Sequence, residues 1–114
     1  AKAIVVSNHG GRVLDDCAST AAVLKNIAEA VKGKAMVLVD GGIRSGGDIF
    51  KALALGADAV LIARPYVNAI YGADREGVKI LTETLGNELK DAMMMCGVSS
   101  LKDISTDNIY EANN

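Results

Sequence analysis

Only one histidine and two cysteines occur in 114 residues, and that scarcity removes several kinds of chemistry. Cys17 and Cys96 are not spaced as a metal or redox pair, and His9 alone cannot complete a zinc ligand set with them. No metal is expected. Two unpaired thiols of a cytoplasmic protein, buried or half-buried, are expected rather than a disulfide. An excess of either charge is also missing. A net charge of −2 gives no basic footprint for nucleic acid and no polybasic membrane signal. No apolar run approaches the roughly 20 residues that a membrane-spanning helix needs. Ala1-Lys2-Ala3-Ile4 lacks the layout of a secretory signal, and no low-complexity stretch or linker divides the chain. An initiator methionine is absent, and the chain starts one step before a strand-like run. It reads as an excised piece of a larger protein, one ordinary domain at most.

Half of the residues are apolar, the composition of a globular core. Three short runs rich in Val and Ile, Ala3 to Val6, Ala35 to Val39 and Ala59 to Ile62, lack alternation, as strands covered on both faces do. Helical patterns separate them. Leu24, Ile27, Ala28 and Val31 share one face before a stop at Gly33. Ser45-Gly46-Gly47-Asp48 resembles a capping box opening a helix through Leu55, which Gly56 ends. This order, strand-loop-helix repeated, predicts βαβ units and a parallel sheet. A longer helix is predicted from Asp74 to Cys96, with Val78, Leu81, Leu85, Leu89, Ala92 and Cys96 as its apolar stripe. Met93, Met94 and Met95 are expected to pack into a core, and the polar tail from Ser105 to fray. Three strands cannot close a parallel barrel, which needs eight, so the first strand should present an unpaired edge and drive association with another copy or chain.

Polar chemistry gathers where the strands run out. Ser7-Asn8-His9-Gly10-Gly11-Arg12 follows the first strand, and active sites of parallel α/β folds are built at that end. An imidazole exchanges a proton near neutral pH, and a guanidinium holds a carboxylate through two hydrogen bonds. One loop therefore offers a base, His9, and an anion clamp, Arg12. A lone histidine can also merely satisfy backbone groups in a turn, but Asn8, two glycines and Arg12 favour function. Asp15 and Asp16 read as a solvated turn or cap, with Asp15 within reach of Arg12 or His9.

The second strand runs into Asp40-Gly41-Gly42-Ile43-Arg44-Ser45-Gly46. Glycines such as Gly42 let backbone approach an anion, the following helix start aims N–H groups at it, and Arg44 adds a fork. Asp40 can accept bonds from a sugar or polyol hydroxyl. A plain tight turn would explain the glycines but not Arg44 together with Asp40. The third strand ends in Ala63-Arg64-Pro65, a terminating turn if read alone. Barrel phosphate sites commonly use the loops after the last two strands, so Arg44 and Arg64 read as one bipartite grip.

Ser7-Asn8-His9-Gly10-Gly11-Arg12-Val13-Leu14-Asp15 resembles the active-site signature of the FMN-dependent α-hydroxy acid oxidases and dehydrogenases, the glycolate oxidase and lactate oxidase group. Asp40-Gly41-Gly42-Ile43-Arg44 with Asp48-Ile49-Phe50-Lys51-Ala52-Leu53-Ala54-Leu55-Gly56-Ala57 resembles their FMN phosphate segment. Glu76-Gly77-Val78 and the stretch from Leu89 to Leu101 are similar to their terminal helix. The first motif is specific, and the second is shared with other phosphate-binding barrels.

The resemblance implies an α/β fold, with residues 1–114 as the C-terminal part of a TIM (β/α)8 barrel, about strands 6–8 plus the terminal helix. It implies FMN as cofactor and oxidation of a small (S)-2-hydroxy acid, such as lactate or glycolate, to the 2-oxo acid in the intact parent. His9 would be the base and Arg12 the carboxylate clamp. Asp40 would bond the ribityl chain, while Gly42, Arg44, Arg64 and the N–H of Ala63 hold the phosphate. Ala63 stands where the family usually has glycine, which bears on tightness more than on binding. The earlier strands, with substrate-contacting tyrosines and a lysine near the flavin, lie outside this sequence, so the piece alone should be inactive. The substrate side chain, the electron acceptor and the choice between hydride and carbanion routes stay open. Two rivals remain: another flavin or phosphate barrel, such as type 2 isopentenyl diphosphate isomerase, and a non-catalytic half-barrel that binds anions. A diphosphate substrate would not need a carboxylate clamp beside His9.

Overall fold

A computed structural model describes residues 1–112. Its centre is a three-stranded parallel sheet of β1 (Ala3–Val6), β2 (Met36–Val39) and β3 (Ala59–Val60), in that spatial order. Ala3 pairs with Met36 and Val6 with Val39, while Leu38 pairs with Ala59 and Val39 with Val60. Helix α1 (Thr20–Val31) connects the first two strands and α2 (Gly46–Ala54) the next two. Short α/β connections between adjacent parallel strands place every strand's C-terminal end on one side.

The two faces of the sheet differ. Val6, Val37 and Val39 are buried with Leu24 of α1, Ile43, and Ala52 and Ala57 from α2 and its exit, and Ile4, Ile27 and Val60 pack around them. The opposite face, carrying Ala3 and Met36 and then Val5, Leu38 and Ala59 in register, is uncovered, with Val5 49% and Met36 53% exposed. Cover on both faces, expected from the unbroken apolar runs, is therefore absent among the described residues. The open face is a band of side chains without a partner layer, as the inner wall of a barrel would be if cut out of it. β1 forms one edge of the sheet, as expected.

The last helix, α3 (Arg64–Met95), starts ten residues earlier than the sequence suggested. Pro65 lies in its first turn, where a missing N–H costs nothing, and so it opens the helix instead of ending the strand. The helix breaks at Ala73 and Asp74, the latter with φ +48°, so that a short arm (64–72) folds back on a long arm (75–95). Gly77 permits that fold, because a Cβ there would collide with the Ala69 carbonyl. The long arm packs Leu89, Ala92 and Met93 on a second cluster of Phe50, Ala54 and Ile104.

Beyond Met93 the apolar stripe leaves the core. Met94 and Met95 are exposed, and so are Cys96 and Cys17, which are unpaired but not buried as expected. The tail is also more ordered than its polarity suggested. Ile104 is buried, Ser105 caps a turn over Thr106–Asn108, and Glu111 pairs with Lys25 at 3.2 Å. The last two residues of that tail lie outside the described residues.

Candidate functional site

The residues singled out in the sequence meet at the C-terminal end of the sheet. After Val6 the chain enters a tight 3-10 turn, His9–Gly11, capped by Asn8. Asn8 Oδ1 accepts the Gly10 N–H at 3.1 Å, and Asn8 Nδ2 donates to the Ala18 carbonyl at 3.3 Å. The His9 N–H donates to Ser7 Oγ at 3.1 Å. Asn8 thus ties the turn to the segment leading into α1. His9 itself has φ +55°, a left-handed conformation that costs a non-glycine residue about 1–2 kcal/mol. Such strain persists only where surrounding contacts impose it, and it concentrates at functional sites. The imidazole and the Arg12 guanidinium are both exposed, and no carboxylate pairs with either among the described residues. Asp15 is exposed and does not fix Arg12 or His9.

Asp40 follows β2. Its N–H donates to the Val6 carbonyl, and its own carbonyl accepts the Thr20 hydroxyl at 2.7 Å. Thr20 is itself buried. The side-chain Oδ1 of Asp40 is buried with no hydrogen-bond partner among the described residues. An orphaned buried acceptor costs about 1–3 kcal/mol, so this oxygen is poised for a donor such as a hydroxyl. Gly41, at φ +88°, packs so closely that a Cβ would stand 3.3 Å from Thr20 Oγ1 and 3.6 Å from Asn8 Oδ1. The first two loops are thereby locked together. Around Gly42, by contrast, there is open space.

The start of α2 differs from its expected role. Ser45 Oγ accepts the Asp48 N–H at 3.1 Å, Asp48 Oδ2 accepts the Arg44 N–H at 3.0 Å, and Glu88 Oε2 accepts the Gly46 N–H at 2.6 Å. These N–H groups are spent inside the protein and are not aimed at an outside anion. At the start of α3 the cap residue, Ala63, supplies no side-chain acceptor, and its carbonyl accepts the Tyr66 N–H at 3.0 Å. The N–H groups of Gly42 and Ala63 donate to nothing among the described residues.

Arg44 and Arg64 line one open cleft of about 420 Å³ with Pro65, Val67 and Asn68. Neither guanidinium pairs with a carboxylate among the described residues. Two unpaired like charges on one cleft repel each other, and an anion between them would relieve that repulsion. Arg64 also reaches the first loop, where a Cβ on Gly10 would stand 3.2 Å from its Nη2. A larger groove, about 920 Å³, opens at the other end of the strands beside Gly33, Met36, Gly56 and Asp58, and no sequence-predicted site residue lines it.

Sequence reading missed Thr20 and Glu88. Thr20 follows the α1 cap Ser19 and carried a detectable local signal, a second hydroxyl at a helix start. Glu88 carried none, since its partner lies 42 residues away. Among the described residues no cluster of His, Cys, Asp and Glu could hold a metal, and no helix is long and apolar enough to cross a membrane.

The model of the FMN-dependent dehydrogenase family matches residues 1–111. An L-lactate dehydrogenase of Acinetobacter baumannii is 47% identical over 112 residues, covering 98% of this chain and 29% of the relative. A peroxisomal (S)-2-hydroxyacid oxidase of Arabidopsis thaliana is 44% identical over 110 residues, 96% of this chain and 30% of the relative. A crystal structure of mandelate oxidase with benzoyl-formic acid superposes with a TM-score of 0.86 at 52% identity, over 89% of this chain and 30% of that one. The chain thus spans about 30% of the length of the relatives it matches.

Proposed function

Because the chain belongs to the FMN-dependent dehydrogenase family, we propose that residues 1–114 are the C-terminal part of a (β/α)8 barrel, about strands 6–8 and the terminal helix, of an enzyme that oxidises a small (S)-2-hydroxy acid to its 2-oxo acid. The uncovered apolar face of the sheet supports the barrel reading. The observation that carries the functional one is the approach of Arg64 to Gly10, which joins the histidine loop to the two-arginine cleft.

The residues present fit FMN. The orphaned Oδ1 of Asp40 suits a ribityl hydroxyl donor. Arg44 and Arg64, with the unspent N–H groups of Gly42 and Ala63, suit a phosphate dianion. The side chain of Ala63 carries no hydrogen-bonding group and makes no cap. Bound there, the flavin supplies the two-electron oxidation.

The protein's own part is binding, orientation and proton transfer. Arg12 holds the substrate carboxylate in a bidentate pair, which fixes the α-carbon relative to the next loop. His9 accepts a substrate proton as the alcohol becomes a ketone. Its backbone stands at φ +55°, with its N–H bonded to Ser7 Oγ and the next N–H to Asn8 Oδ1, in the loop that also carries Arg12. Two unpaired thiols are in keeping with a cytoplasmic setting.

Anaerobic titration of the full-length protein with L-lactate, glycolate and (S)-mandelate tests the reading. Bleaching of a bound flavin's visible absorbance by at least one of these acids is expected. A flavin-loaded protein that none of them reduces would leave an anion-binding half-barrel or another flavin chemistry in its place.

A further inference from the structure

Both arginine-bearing segments, the loop before α2 and the short arm of α3, are fastened to the long arm of α3. On one side Glu88 Oε2 accepts the Gly46 N–H at 2.6 Å, two residues after Arg44. A Cβ at Gly46 would run into the backbone of Glu88 and Leu89, so the start of α2 rests directly on the arm. On the other side Tyr66, two residues after Arg64, meets Thr82 Oγ1 at 2.8 Å. Thr82 directs its only hydroxyl hydrogen to the Val78 carbonyl at 2.8 Å, which makes Tyr66 the donor. The two fastenings lie within two turns of each other on one helix, a rigid spacer.

We propose that the long arm of α3 is the gauge that sets the spacing of Arg44 and Arg64, with Glu88 and the Tyr66–Thr82 pair as positioning residues for the phosphate grip; this rests on the phosphate reading given above. The charge of Glu88 argues for that role. A carboxylate close to a phosphate site weakens anion binding by repulsion, so electrostatics alone would disfavour it there. Its contribution is the bond to Gly46, strengthened by its place at the positive end of α2. That bond also withholds the Gly46 N–H from the phosphate and leaves the anion to the arginines and the N–H groups of Gly42 and Ala63. A helical arm outside the proposed phosphate contacts thus decides whether two guanidinium groups converge or splay.

The test compares dissociation constants for FMN and for riboflavin, which lacks the phosphate, by flavin fluorescence in the full-length protein. Glu88→Ala and Tyr66→Phe should each weaken FMN by roughly tenfold, equivalent to about 1.4 kcal/mol, and leave riboflavin unchanged. Glu88→Gln keeps an acceptor and removes the charge, so its FMN affinity should match or exceed that of the parent. Tyr66→Phe removes one exposed-side hydroxyl and tests the claim even if Glu88→Ala does not fold. Equal losses for FMN and riboflavin would reveal general packing and overturn the proposal, as would a loss in Glu88→Gln equal to that in Glu88→Ala. Arg44→Ala separates the two layers of argument. If it spares the FMN-to-riboflavin ratio, the phosphate reading fails; if it collapses the ratio while Tyr66→Phe and Glu88→Ala do not, only the gauge fails.

Discussion

The guanidinium of Arg64 rests against the backbone of Gly10, close enough that a single methyl group on the glycine would stand 3.2 Å from Nη2. This contact makes one site out of two loops that follow different strands. Gly10 also has φ +69°, so Gly10→Ala both strains the turn and pushes Arg64 away. The variant should lose about 1–2 kcal/mol of stability in denaturant titration and bind FMN more weakly than the parent. A variant with parental FMN affinity would show that Arg64 is not held where the phosphate needs it.

Asp40→Ala should act in opposite directions on stability and binding. Removing an unsatisfied buried acceptor relieves a desolvation cost of about 1–3 kcal/mol, so the flavin-free protein should melt no lower than the parent. Binding of FMN and of riboflavin should weaken together, because the proposed contact is to the ribityl chain and not to the phosphate. A loss confined to FMN would assign Asp40 to the wrong part of the cofactor.

Arg12→Lys should raise KM for every 2-hydroxy acid much more than it lowers kcat. An ammonium is a point charge and cannot reproduce the planar two-bond fork. Arg12 is exposed and has no ion pair among the described residues, so the substitution breaks no internal salt bridge there. Steady-state kinetics with an unchanged KM would remove the carboxylate clamp.

The 114-residue chain by itself should hold FMN only weakly and turn over no hydroxy acid. Its arginine cleft is intact, but one sheet face is open, with Val5 and Met36 exposed, and no wall among the described residues encloses a flavin ring. The unpaired edge of β1 and that apolar face should drive self-association. Fluorescence titration with light scattering checks both statements, and a strictly monomeric chain with sub-micromolar FMN affinity would contradict them.

Local signals were readable, and contacts between distant segments were not. β1 matches its apolar run to the residue, and Ser45 caps α2 as its Ser-Gly-Gly-Asp spacing predicts, since both depend on neighbours in sequence. Asp48 completes only half of the expected box: its carboxylate accepts from Arg44 in place of the cap residue. The short arm of α3 was hidden because Pro65 reads equally as a strand terminator and as a first-turn residue. The order of the tail depends on Ile104 joining Phe50 and Ala54, a contact that composition cannot reveal. The exposure of Cys96, Met94 and Met95 has the same origin: their stripe outlasts the surface it packs on. The shared placement of His9, Arg12, Asp40, Arg44 and Arg64 was legible because strand ends in a parallel sheet share one side. The bond between Gly46 and Glu88 was not, because its partners stand 42 residues apart.

On the proposed mechanism His9 takes the substrate proton, at a site whose cofactor contacts lie elsewhere. Anaerobic rapid mixing of flavin-loaded His9→Ala with a 2-hydroxy acid that reduces the parent tests it most directly. Loss of a positioned base costs about a hundred- to ten-thousand-fold, so flavin reduction should slow by that factor while the flavin stays bound. Reduction at the parental rate in a variant that retains its flavin would remove His9 from the mechanism.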